Sequence, residues 1–376
     1  MATSPEERLP PLGPSVPPDD FGWEVENPLE CPDDSPAGSG DEPDRHFQPG
    51  ISGEDEAQIE KSLRPRRFEE FIGQERVVEN LRIAIEAARA RGEVLDHVLL
   101  SGMPGLGKTT LALLIADAMG VGIQETSGPV IERGKDLVGH LTNLARGDIL
   151  FIDEIHRMSR EAEEYLYSAM EDFKVDIRLD KGPDARSIRI GVAPFTLVGA
   201  TTREGLLAAP FRGRFGILEK LEAYSPEVLA EIIRRSAAIL QVEIDADAAQ
   251  RIASCSRGTP RFANRFLRRV RDVAQCRAQC RESGKEPVSI NCGTVDEALQ
   301  RLGVDGNGLD IMDRQIMRIL LSSGEVPVGI KTIAITVGEE ERTIEDVYEP
   351  YLIQRGLIIR TPRGRLATPR AVELLQ

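Results

Sequence analysis

Nowhere does the sequence hold the roughly 20 consecutive apolar residues that a membrane-spanning helix requires. The first residues, MATSPEERLPP, lack the cationic stretch and apolar core of a secretory signal. Cysteine is scarce and odd in number: Cys31, Cys255, Cys276, Cys280 and Cys292. An odd count without a signal argues against a disulfide framework. Cys276 and Cys280 are four apart and share a helix face, but no histidine lies near them to complete a zinc site. These absences point to a soluble cytoplasmic protein with reduced thiols. The single tryptophan, Trp23, sits in FGWEVENPLE, either a docking motif or an incidental aromatic.

Charge of one sign is in excess, with a net of -15. The excess is local. Residues 1–60 hold 16 Asp/Glu against two Lys/Arg, whereas the remaining 316 hold 46 against 45. An acidic whole therefore does not exclude a nucleic-acid partner. Residues 1–58 also carry 11 of the 24 prolines and few aliphatics. Such a segment buries too little apolar surface to offset ordering entropy, so a disordered tail is expected.

Order is expected from near Leu63. DHVLLSG (96–102), DILFIDE (148–154) and FTLVGATT (195–202) read as buried strands separated by helical patterns, the signature of a parallel α/β sheet. Residues 174–192 alternate around the turn-rich link DKGPDAR and read as a hairpin. The pattern is helical from 225 to about 303. It then changes to three helices and a terminal hairpin turning at Pro362–Gly364, a winged helix. The expected domains are 59–224, 225–303 and 304–376.

GMPGLGKT (102–109) fits the phosphate-loop pattern in its required context, after a strand and before a helix. Gly102, Gly105 and Gly107 let backbone N–H groups wrap phosphate oxygens. Lys108 supplies charge at the β/γ phosphates, and Thr109 a hydroxyl for Mg²⁺. A chance match in this length is on the order of 1% at average glycine usage. ATP or GTP binding follows. In LFIDE (150–154), the strand is expected beside the phosphate loop, with Asp153 helping to hold Mg²⁺ and Glu154 polarising water. Thr201 and Thr202 end the third strand, where a hydroxyl reaches the γ-phosphate or the water. Arg212 and Arg214 in FRGRFG are both candidates for an arginine supplied across a subunit interface. Arg261, after Pro260 at a helix start, can point back at a nucleotide. Residues 350–372 contain Arg355, Arg360, Arg363, Arg365 and Arg370 and no acid, which suits phosphate contact or minor-groove insertion.

From Leu63 onward the chain resembles the RuvB family of bacterial branch-migration motors, members of the AAA+ ATPases. SLRPRRFEEFIGQ, LDHVLLSGMPGLGKTTLA, TSGPVIE, LFIDEIHRM, AMEDF, FTLVGATTR, RFGI, RGTPR, EPYLIQRGLI and RTPRGR carry the resemblance, in order. It implies an AAA+ large domain, a helical lid and a winged-helix head working as an ATP-hydrolysing hexamer. The substrate would be a four-way junction and its duplex arms, with RuvA and RuvC as partners in recombination and repair.

The resemblance also implies roles by position. Leu63 and Arg64 are expected on the adenine side. Gly105, Lys108, Thr109 and Thr110 are expected at phosphate and Mg²⁺, and Glu171, Asp172 and Phe173 in a further nucleotide-contacting segment. Thr202, with Thr201 as the alternative, is the expected sensor. Arg214 is the expected arginine finger. Tyr224 and Arg261 are expected as nucleotide contacts, Arg261 being the second sensor. Arg342, Arg360 and Arg365 are expected to reach DNA, and the hairpin at 174–192 to dock RuvA. Met103 stands where the family usually has proline, and QCRAQCRESGKEPVSINC (275–292) lengthens a loop. The acidic tail has no counterpart in the pattern. Two rival functions use the same ATP chemistry: a clamp loader or protein remodeler, and a slow nucleotide-dependent transcription switch. Neither calls for both a basic winged helix and the 174–192 hairpin.

Overall fold

A computed structural model describes residues 54–178, 187–280 and 289–375. The expected disordered tail, Trp23 included, lies outside these residues up to position 53. Its last five residues do not: Glu54–Leu63 is a helix, α1, with Lys61 in its last turn. Strong helix formers and a basic residue near the C-terminus stabilise it. The link 179–186 of the 174–192 hairpin and residues 281–288 of the long loop also lie outside.

Five parallel strands form the central sheet: β1 (Val98–Ser101), β2 (Ile123–Ser127), β3 (Ile149–Asp153) and, beyond the hairpin strands β4 (Lys174–Arg178) and β5 (Ser187–Gly191), β6 (Thr196–Thr201) and β7 (Ile217–Lys220). Their order is β2-β3-β6-β1-β7. β1, β3 and β6 are buried through nearly every residue, as central strands covered on both faces must be. β2 and β7 escape the apolar-run criterion because they are edge strands and carry polar residues. β3 brings Asp153 and Glu154 to the phosphate-loop lysine, as expected, without being the neighbour of β1. β6 is inserted between β1 and β3, with Ser101 registered on Thr201 and Ile152 on Gly199. In β4 and β5, Val175 pairs with Ile190 in antiparallel register.

Three apolar clusters hold the chain. The first joins one face of the sheet to the helices of the lid, from Leu81, Leu100 and Leu111 to Ile233, Ile252, Leu267 and Val295. The second fills the opposite face around Leu150, Leu166, Leu197 and Phe211. The third belongs to the head, around Leu309, Met317, Ile333 and Leu352. The head contains helices Ile311–Ser322 and Ile330–Val337, a continuous helical stretch from Glu341 to Gln354, and the hairpin Ile358–Thr361/Gly364–Ala367. Val328 bridges Arg365 as a partial third strand. A final helix, Pro369–Leu375, was not anticipated from the sequence.

Candidate functional site

β1 ends at Ser101 and the chain wraps into the phosphate loop. Gly105 has φ +80°, and a Cβ there would lie 2.8 Å from Cβ of Arg261, so the loop runs directly under the lid. Gly107 has φ +103° and caps the helix Lys108–Met119 in a conformation that side chains resist. Thr109 and Thr110 stand in the first turn of that helix, the place where backbone N–H groups can receive a phosphate. Lys108 is buried, and its Nζ donates to the carbonyls of Gly102 and Met103 at 2.8 and 2.9 Å. Burial pushes its pKa down, opposed by the negative charges of Asp153 and Glu154.

Asp153 and Glu154 end β3. Asp153 Oδ1 accepts the Glu154 N–H at 2.9 Å, and Glu154 takes φ +47°. That strained conformation turns its carboxylate toward β6. There Thr202 Oγ1 donates to Glu154 Oε2 at 3.2 Å. Thr201 is fully buried, and its hydroxyl lies 2.9 Å from His156 Nδ1. The two threonines therefore divide: Thr202 faces the acid, and Thr201 is tied into the fold. His156 Nδ1 also lies 3.3 Å from Glu154 Oε2. Burial, then the positive charge of Arg203, lowers the His156 pKa. Burial raises the Glu154 pKa, and the like charge of Asp153 adds to it. Asp153 and Thr109 offer the hard oxygen donors that suit Mg²⁺.

Lid and linker close over the loop. Tyr224 is buried and donates its hydroxyl to the Leu106 carbonyl at 3.2 Å, and burial raises its pKa. Arg261 begins the helix Pro260–Cys280 and lies 3.7 Å from Glu60, which also meets Arg64 at 3.8 Å. Leu63 is buried, and its carbonyl accepts from Arg235 at 2.9 Å. Thus α1 joins the nucleotide side of the molecule. A cleft of about 580 Å³ opens beside the loop, lined by Gly102, Met103, Thr202, Arg203, Lys220 and Gln354 among others.

Arg214, Glu171, Asp172 and Phe173 are elsewhere. Arg214 Nη2 meets Glu171 Oε1 at 2.9 Å, and its guanidinium stacks 4.5 Å from the Tyr167 ring. Met170, the residue before Glu171, has its carbonyl 3.4 Å from His97 Nε2. Phe173 contacts Phe195, which contacts His97. His97 immediately precedes β1, and the phosphate loop immediately follows it. The Arg214–Glu171 group therefore sits at the opposite end of β1, about 13 Å of strand away. It cannot serve the phosphates of its own loop. Arg212 is exposed and pairs with Glu204 at 3.6 Å.

In the head, Arg342 and Arg360 are exposed, as is Arg363 at the hairpin turn. Arg365 does not match its expectation. It is 7% exposed and held by Glu345 and Glu349 at 2.8 Å each. The hairpin itself has no acid, but the helix behind it supplies two, and Arg365 points inward to them. Arg360 is 58% exposed at its side chain and touches Glu345 at 2.7 Å. Sequence reasoning missed His156 and Arg203; the motif pieces EIH and TTR were the available signals.

Three family models match nearly all of the chain from Leu63 onward. Residues 63–221 match the Holliday junction DNA helicase RuvB P-loop domain. Residues 224–305 match the RuvB AAA lid domain, and 306–376 the RuvB C-terminal winged helix domain. The chain is 56% identical over 329 residues to the Holliday junction branch migration complex subunit RuvB of Kosmotoga olearia, covering 87% of this chain and 93% of that one. It is 54% identical over 320 residues to that of Myxococcus xanthus, covering 85% and 91%. Among solved structures, the Thermotoga maritima RuvB Holliday junction branch migration motor superposes with a TM-score of 0.74 at 47% identity, covering 84% of this chain and 98% of that one.

Proposed function

The chain belongs to the RuvB family of P-loop ATPases, and from that premise we propose that it drives branch migration of four-way DNA junctions as a hexameric ring with RuvA. The observation that carries the ring is the split site. One subunit offers Lys108, Thr109, Asp153, Glu154 and Thr202, while Arg214 lies at the far end of β1. A second subunit must bring its own Arg214, with Glu171, Asp172 and Phe173, to the first subunit's phosphates. Glu154 orients and polarises the attacking water, and Thr202 holds that carboxylate. Arg214 of the neighbour stabilises charge developing on the transferred phosphoryl group. Asp153 and Thr109 would hold Mg²⁺, which would neutralise charge on the β/γ oxygens. Leu63, Arg64, Tyr224 and Arg261 report the occupant to the lid. The head grips duplex DNA through Arg342, Arg360 and Arg363, and hydrolysis moves the lid and head so that the duplex is drawn through the ring.

The strands at 174–178 and 187–191 present the surface for RuvA, and RuvC joins the same junction complex. No helix among the described residues is long and apolar enough to cross a membrane, and the proposed DNA substrate places its action in the cytoplasm. The alternative of a clamp loader or remodeler leaves the winged-helix head without a use.

The test is ATP-dependent dissociation of a synthetic four-way junction with and without RuvA, alongside Lys108→Ala and Arg214→Ala. Dissociation by the wild type with RuvA and by neither variant supports the proposal. Hydrolysis without migration, even with RuvA, would return the chain to the remodeler reading.

A further inference from the structure

We propose that Arg203 is a positioning residue that couples the DNA-facing hairpin of the head to the water-activating acid, through its ion pairs with Glu345 and Asp346. The inference rests on the ATPase and DNA roles proposed above and adds the link between them.

Arg203 follows Thr202 in the chain, so it moves with the hydroxyl that donates to Glu154. Its own N–H donates to Thr201 Oγ1 at 3.0 Å, and that oxygen is 2.9 Å from His156. The Arg203 main chain is thus one bond from each threonine of the site. Its side chain leaves the large domain altogether. Nε and Nη2 reach Asp346 Oδ1 at 3.0 and 2.6 Å, and Nη2 reaches Glu345 Oε2 at 3.1 Å. Glu345 is shared. Its other oxygen accepts from Arg360 at 2.7 Å and Arg365 at 2.8 Å. The acids stand on a π-helical turn, Ile344–Tyr348, a widened geometry that recurs at functional positions.

Three guanidinium groups and three carboxylates, Glu345, Asp346 and Glu349, balance in this cluster. Arg360 is its most exposed member and the one whose place is at the DNA surface. When Arg360 turns to a phosphate, the cluster loses one positive charge. The acids left behind then attract Arg203 more strongly, in a half-buried setting where screening is incomplete. DNA at the hairpin is therefore felt at the end of β6, beside Glu154. A simple structural clamp between head and large domain would make the same contacts without this coupling.

The two are separated by ATP turnover measured with and without saturating duplex DNA. Asp346→Asn keeps the size of the residue and lies outside the nucleotide site. It is expected to leave basal turnover and duplex affinity within about twofold while lowering DNA stimulation about fivefold or more. Arg203→Gln is expected to lose stimulation likewise, and Arg203→Lys to recover part of it. The double variant Arg203→Gln/Asp346→Asn should be no worse than either single variant, as for two residues in one link. Stimulation of Asp346→Asn within twofold of wild type at saturating DNA overturns the proposal. So does a loss that more DNA restores, because that assigns the pair to DNA affinity alone. Melting curves identify a misfolded variant, in which case Arg203→Lys decides: stimulation lowered more than about twofold with unchanged melting supports the link, and stimulation within about twofold of wild type overturns it. A wild type whose turnover ignores DNA overturns the functional reading itself, which no variant result can do.

Discussion

Arg214 and Glu171 meet at 2.9 Å at the end of the parallel sheet opposite the phosphate loop. The guanidinium also stacks on the Tyr167 ring and donates to the Pro210 carbonyl at 2.8 Å. Its place far from its own phosphate loop is what the proposed trans role requires.

Arg214→Ala is expected to lose about 10³-fold or more in ATP turnover while binding nucleotide normally. Lys108→Ala is expected to lose nucleotide binding. Mixed in equal amounts, the two should recover measurable turnover, because some interfaces then pair an intact loop with an intact arginine. Steady-state hydrolysis of the mixture against each variant alone is the measurement. No recovery at any ratio would place Arg214 outside the active site.

Glu154 gives a pH prediction of two opposite signs. Burial and Asp153 raise its pKa. Catalysis needs the ionised form, so turnover should fall on acidification at higher pH than an ordinary glutamate would allow. For stability, the native state favours the protonated carboxyl. Its contribution is intact below the unfolded pKa and lost as pH rises through the folded one. Glu154→Gln should therefore melt about 1–2 °C higher at neutral pH, with no gain in acid, while losing about 10²–10⁴ in turnover. Calorimetry and a pH–rate profile check the two halves separately.

Arg360 and Arg365 differ by one turn of chain and should differ in effect. Arg360→Ala is expected to weaken duplex binding and reduce the slope of log affinity against log salt by about one, with little change in melting. Arg365→Ala leaves the buried Glu349 with only Arg360, at 3.5 Å, in place of a cation at 2.8 Å, and should cost up to about 3–5 kcal/mol of head stability. Salt titrations and melting curves of the two variants decide; equal salt slopes would return Arg365 to the DNA surface.

Arg257 is 4% exposed, pairs with Asp310 and Asp313 at 2.6 Å, and lies near the rings of Phe262, Tyr348 and Tyr351. It joins lid to head. Arg257→Met strands the fully buried Asp313 and should destabilise by about 3–5 kcal/mol. Adding Asp310→Asn and Asp313→Leu should return most of that loss. Denaturant midpoints test it, and an additive further loss would contradict it.

The sequence made the phosphate loop, the acids of β3 and the winged helix legible because each rests on local pattern. Glycines, a lysine and an apolar strand ending in two acids are neighbours in the chain. The insertion of β6 between β1 and β3 was not legible, since strand order is a long-range property. Nor was the fate of Arg365. A hairpin free of acids looks basic until Glu345 and Glu349 arrive from a helix about 16–20 residues earlier. The choice between Thr201 and Thr202 turned on which hydroxyl His156 occupies, a contact across 45 residues.

The three apolar clusters divide unequally. The lid shares its apolar interior with one face of the sheet, whereas the third cluster belongs to the head, which among the described residues meets the rest largely through polar contacts: Arg203 and Arg257 with their acids, and Arg251 and Arg314 at the lid. Displacing the lid from the sheet uncovers hydrocarbon and is resisted by water itself. Displacing the head uncovers less hydrocarbon and exchanges mainly polar contacts for hydration, with the buried Arg257 pair as the contact that resists it. A movement begun over the phosphate loop and lid would therefore meet least resistance from hydrocarbon where it is passed to the head.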